Sequence, residues 1–141
     1  MKVLVGTVGT PESKAAVAEA VEEVTARGGE LHLAVHVPPP MNEKDARGHR
    51  EVLASERERV ETEAASLREH RGVDVHPHFL QGSGRTSHVL IELAEELGIE
   101  RIVLGTRRRS AVGKLLLGST ASDILLAAPC PVLAVKAAAD E

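Results

Sequence analysis

Short, continuously apolar runs separated by stretches of helical periodicity constrain this chain more than any other feature. "KVLVGTV" (2–8), "LHLAVHV" (31–37), "VDVHPHFLQG" (73–82), "RIVLGT" (101–106) and "PVLAVK" (131–136) read as strands. Between the first two, Val17, Ala20, Val21 and Val24 recur at helical spacing after Thr10-Pro11, an N-cap followed by a proline suited to the first helical position. Gly28-Gly29 stops that helix. Residues 41–50 are polar and read as a loop. Leu53, Val60, Ala64 and Leu67 then mark a long amphipathic helix ended by Gly72. Leu90, Leu93, Ala94 and Leu97 mark a third, closed by Gly98, and "STASDILLAA" (119–128) a fourth, ended by Pro129. Apolar strands alternating with four helices predict one α/β domain over residues 1–141, an open, doubly wound sheet of five parallel strands covered on both faces. Pro77 cannot donate to a strand ladder, so the third strand belongs at an edge. That suits the order 3-2-1-4-5 and places the switch point, where ligands bind in such sheets, between strands one and four.

The core of such a sheet must here be aliphatic, because Phe79 is the one aromatic residue among 141. Stacking of bases on aromatic side chains is therefore excluded, and a net charge of −4 argues against a nucleic-acid or membrane-surface partner. A single cysteine, Cys130, excludes an internal disulfide framework and fits a reducing, cytoplasmic setting. The first ten residues hold too short an apolar run for a signal peptide, and no stretch approaches the roughly 18 apolar residues of a membrane span.

Two loops meet at the switch point, Gly6–Thr10 and Gly105–Thr120. The second reads "GTRRRSAVGKLLLGST". Its glycines let backbone N–H groups approach an anion, and the start of the fourth helix adds partial positive charge. The Ser119 and Thr120 hydroxyls either cap that helix or bond a phosphate oxygen. A Walker A loop is excluded, because Lys114 is followed by Leu115.

The element order, the opening "VLVGTVGTPES", the strand end "AVHV" and the closing "APCPVLAVK" resemble the universal stress proteins along the whole chain. That family's nucleotide motif is Gly, two residues, Gly, nine residues, then Gly-Ser/Thr. Gly105 matches its first position and Gly118-Ser119 its last, at the family's spacing. Two positions depart. Arg108 replaces the second glycine, at a strain cost of about 1 kcal/mol if the backbone there needs positive φ. Val8 replaces the Asp that offers an acceptor toward the nucleoside. The resemblance implies a homodimeric binding module for an adenine nucleotide such as ATP or AMP, with Mg2+ as an accompanying ion, or for a related phosphate compound. The pocket it implies is lined by Gly6, Thr7, Val8, Val37, Leu104, Gly105, Arg107, Arg108, Gly118, Ser119 and Thr120. In nucleotide-binding relatives the position of Val37 lies beside the adenine. The dimer would form through strand 131–136, with Val132, Leu133 and Val135 at the interface. The alternative is a dimeric structural or regulatory stress protein whose pocket is altered by Val8 and Arg108. Slow ATP hydrolysis ranks last, because no general base or metal-binding carboxylate is in evidence and no catalytic residue stands out.

Other constellations read more plainly. His76 and His78 share one face of a strand, but no acidic or cysteine ligands accompany them in sequence, and no metal site is expected. "GSGRTS" (82–87) is a fragment of a phosphate-loop pattern, and the resemblance makes Ser83 and Arg85 phosphate neighbours. Cys130 reads as a packed thiol.

Overall fold

The computed structural model describes residues 1–108 and 115–137, with the side chains of Arg107, Arg108, Leu115 and Leu116 outside that description. In chain order the elements are β1 (Lys2–Gly6), α1 (Pro11–Arg27), β2 (Glu30–His36), α2 (Glu43–Arg71), β3 (Asp74–Leu80), α3 (Thr86–Leu97), β4 (Arg101–Arg108), β5 (Leu115–Leu116), α4 (Ser119–Ala127) and β6 (Val132–Lys136). Five strands are parallel in the spatial order β3-β2-β1-β4-β6. This is the expected order 3-2-1-4-5, with residues 132–136 as the fifth parallel strand. β5 was not anticipated; it pairs antiparallel with the end of β4, Arg107 opposite Leu116 and Arg108 opposite Leu115.

The pleat sorts the strand residues into two cores. Val3, Val5, Leu31, Leu33, Val75 and Val103 face α1 and the Val60–Ala64 stripe of α2. Leu4, Ala34, Ile102 and Leu104 face α3 and Ile124 of α4. Among the described residues no helix is long and apolar enough to cross a membrane.

The predicted loop at 41–50 is largely helix. Asn42 caps α2, its side chain accepting from the Asp45 N–H at 2.9 Å, and Glu43 and Asp45 lie where the helix dipole favours negative charge. A good cap starts the helix well before its apolar stripe does. Pro77 stands opposite Leu33 in β3, the edge strand, as expected.

Candidate functional site

The β1–α1 turn is pinned from both sides. The Ser13 hydroxyl accepts from the Val8 N–H at 3.0 Å and reaches the Gly6 carbonyl at 3.4 Å, while the Thr7 N–H donates to the Ala34 carbonyl. Thr7 is buried, and its hydroxyl donates to Glu63 Oε1 at 2.7 Å and accepts from Arg59 Nη1 at 3.0 Å. Arg59 Nη2 also donates to the Thr7 carbonyl at 2.7 Å. Two α2 side chains thus clasp a turn some fifty residues earlier.

Beyond the carboxyl ends of β1 and β4 lies a cavity of about 680 Å³, within the usual range for small-molecule sites. Leu4, Ile102, Leu104, Leu90 and Ile124 supply apolar wall, and Thr10, His36, Thr86 and Thr120 supply polar groups. The starts of α3 and α4 border it. Neither helix has a side-chain cap bond, and helix geometry leaves their first N–H groups without intrahelical partners. Ser119 and Thr120 are exposed, and no capping bond engages their hydroxyls. Of the two roles open to them in sequence, capping is not the one observed.

Of the expected pocket residues, Gly6, Thr7, Val8, Leu104, Gly105, Gly118 and Thr120 line this cavity. Val37 does not. It is buried, donates its N–H to the Leu80 carbonyl, and borders a separate groove with Pro38–Pro40. His36, one residue earlier, takes the cavity position. Ser119 also falls outside the lining. Gly105 carries a second constraint: a Cβ there would run into the backbone carbonyl of Glu12, so β4 and the first turn of α1 approach only because this residue is glycine.

His36 bridges β2 to α3. Nε2 lies 2.7 Å from the Gly82 carbonyl, which only accepts, so Nε2 carries the proton; Nδ1 lies 2.8 Å from the Thr86 hydroxyl. Neither Ser83 nor Arg85 reaches the lining; Arg85 sits 3.5 Å from Asp123 Oδ2. Cys130 packs against the second core, and burial pushes its thiol above the ordinary range, which suits a packed group.

The sequence pattern of the universal stress protein family matches residues 1–136. The chain belongs to that family. A universal stress protein of Thermus aquaticus is 35% identical over 131 residues, covering 91% of this chain and 93% of its own. Two solved structures share the fold. The universal stress protein of Archaeoglobus fulgidus in complex with dAMP is 21% identical at a TM-score of 0.68, covering 96% of this chain and 98% of its own. A universal stress protein in complex with cAMP is 21% identical at a TM-score of 0.62, covering 97% of each chain.

Against the family motif, this universal stress protein keeps Gly105 and Gly118 at the cavity wall. Val8 is 64% exposed at the cavity and brings no acceptor. At Arg108 the expected strain does not arise: its backbone is extended and paired in the β4–β5 ladder, and no described non-glycine residue has positive φ. Extended backbone accepts a Cβ without penalty. The guanidinium groups of Arg107 and Arg108, and residues 109–114 between the two strands, lie outside the described residues.

At the far end of this universal stress protein's sheet the structure corrects a reading of the sequence. His76, which had no ligand companions in sequence, has Glu30 Oε2 at 3.3 Å and Asp74 Oδ1 at 3.1 Å. Asp74 stands two residues before His76 on the same face of β3, and parallel pairing with β2 adds Glu30, which no spacing along the chain announces.

Proposed function

We propose that this chain is a binding module that takes an adenine nucleotide, or a related phosphate compound, in the switch-point cavity. One observation carries the reading: an apolar wall suited to a flat base shares a 680 Å³ cavity with two helix starts that no side chain caps. The nucleotides held by the two fold relatives support the same ligand class. The base rests against Leu4, Ile102 and Ile124, and the phosphate meets the Gly118–Thr120 start of α4. Mg2+ accompanies a triphosphate. Calorimetric titration with ATP, AMP and cyclic AMP, with and without Mg2+, tests this. Saturable binding of at least one of them is expected. Val8→Asp combined with Arg108→Gly should then tighten ATP by about tenfold, the worth of one net hydrogen bond. No binding by either protein overturns the reading and favours a structural or regulatory stress protein with an altered pocket.

The reading includes a cytoplasmic homodimer formed through β6. Among the described residues no strand covers the outer edge of β6, and an uncovered edge favours pairing with a second copy. Val132, Leu133 and Val135 are half-buried within their own chain and would complete their burial there. Sedimentation at about tens of micromolar, ample for a standard-size interface, should report a dimer. A monomer overturns this part.

A further inference from the structure

The amino-terminal ends of β2 and β3 bring together groups that the switch-point cavity does not use. The register sets Glu30 beside Asp74, His32 beside His76 and Ala34 beside His78, all on one face of the sheet. The His32 ring stacks on those of His76 and His78, with centroids 5.0 Å apart in each case.

The polar atoms converge without satisfying one another. His76 Nε2 lies 3.3 Å from Glu30 Oε2 and 3.1 Å from Asp74 Oδ1, and His32 Nε2 lies 3.3 Å from Glu30 Oε1. Both Nε2 atoms are shielded from solvent and lack a hydrogen-bond partner. His32 is only 5% exposed. Shielded nitrogens within 3.3 Å of carboxylate oxygens and without a hydrogen-bond partner need an explanation. Coordination supplies one for His76 Nε2. Ligand atoms from Glu30, Asp74 and His76 all lie within 4.8 Å of one another. Tetrahedral coordination with bonds of about 2.0–2.2 Å separates neighbouring ligand atoms by about 3.3–3.6 Å. The observed contacts are within a few tenths of an ångström of that spacing.

We propose that Glu30 Oε2, Asp74 and His76 Nε2 bind a divalent transition cation of the zinc class, with a fourth position open to water, and that His32 is a positioning residue behind Glu30. One imidazole with two carboxylates favours zinc, cobalt or nickel over magnesium or calcium, which take oxygen ligands. Two carboxylates balance the ion's charge. His78 Nε2 lies 2.8 Å from His32 Nδ1; with His78 donating, His32 Nε2–H faces Glu30 Oε1 and orients the carboxylate from behind. Lys2 is the rival cation. Its Nζ sits 3.6 Å from Glu30 Oε1 while donating to the Leu97 carbonyl, which leaves Oε2 to the ion. His36 stands six positions after Glu30 on β2, about 20 Å along the strand, so this site stands apart from the nucleotide cavity.

The test titrates chelator-treated full chain with Zn2+ by calorimetry and with Co2+ by visible absorption. One ion per chain is expected. Asp74→Asn and His76→Gln should each weaken zinc by about a hundredfold or more, and His32→Gln by about tenfold, the usual range for a group behind a ligand. His88→Ala, which removes an exposed histidine on α3, should change nothing. Co2+ should give d–d bands in the parent that His76→Gln abolishes. Far-UV circular dichroism establishes that each variant is folded. A parent that takes up no Zn2+, or His76→Gln and Asp74→Asn proteins that bind it as the parent does, overturns the proposal.

Discussion

The two ends of β2 solve opposite problems. At its carboxyl end there is space, and the side chains of the strand ends and the β1–α1 turn are occupied, while the starts of α3 and α4 carry no side-chain cap. His36 uses both ring nitrogens, Thr7 gives its hydroxyl and carbonyl to Glu63 and Arg59, and Ser13 bridges Gly6 and Val8. At its amino end Nε2 of His32 and Nε2 of His76 lie beside carboxylates without hydrogen bonds. A void with a braced wall on one side and uncapped helix starts on the other suits a large ligand with an anionic group. A convergence of unsatisfied atoms selects by coordination and suits an ion. Four histidines lie on β2 and β3 of this sheet. Geometry alone separates the one that braces a pocket from those that cluster with carboxylates.

The comparison breaks most sharply at Gly105. A Cβ there meets the Glu12 carbonyl, which is backbone and cannot swing away. Gly105→Ala should force β4 and α1 apart, at the upper end of the roughly 1–3 kcal/mol typical of overpacking. Urea unfolding measures the loss. Nucleotide binding should fall with it, because the same backbone lines the cavity. Zinc uptake at the other end should survive wherever the variant is folded. Unchanged stability would mean that the close approach is not what makes glycine necessary. Zinc binding lost together with nucleotide binding in a folded variant would mean that the two ends are not independent.

The fold was legible because its signals are local. Strands covered on both faces read as unbroken apolar runs, and Pro77 marks its own edge. Two local readings failed for identifiable reasons. α2 begins at Glu43 because Asn42 caps it, although no apolar stripe appears until later. Along the end of β2, neighbouring residues take different surroundings, which puts His36 rather than Val37 at the cavity. The site was legible only in part. Gly105 could be found from motif spacing, but its contact with Glu12 joins positions far apart in the chain. The Arg59–Thr7–Glu63 clasp is invisible among the charges of α2, whose exposed face looks merely solvated. Glu30 and His76 meet across a parallel register, so even the right residue types carried no recognisable spacing.

The smallest predicted effect concerns the histidine layer in metal-free protein. His32 and His78 both have pKa values lowered from the ordinary 6.5, and burial is the first cause in each. For His32 the Glu30 carboxylate opposes that shift, while His76 and Lys2 reinforce it; for His78, His32 and His76 reinforce it. The unfolded chain therefore binds protons more readily than the folded chain just below pH 6.5. By linkage, stability should be full above that pH and fall as pH drops through the lowered folded values. Glu30 is shifted down as well, but from 4.5, so its contribution is lost in a lower window. Urea unfolding between pH 7.5 and pH 5, with chelator present, isolates the histidines. The parent should lose stability steadily below about pH 6.5. His32→Gln combined with His78→Gln should flatten that slope, since glutamine does not titrate. Zn2+ should raise the curve in the parent and, at the same ion concentration, raise it less in the double variant, which keeps the three ligands but binds the ion about tenfold more weakly. A slope that persists in the double variant would place the acid sensitivity elsewhere, and the amino end of β2 would then be no more strained by its unsatisfied atoms than the carboxyl end is by its void.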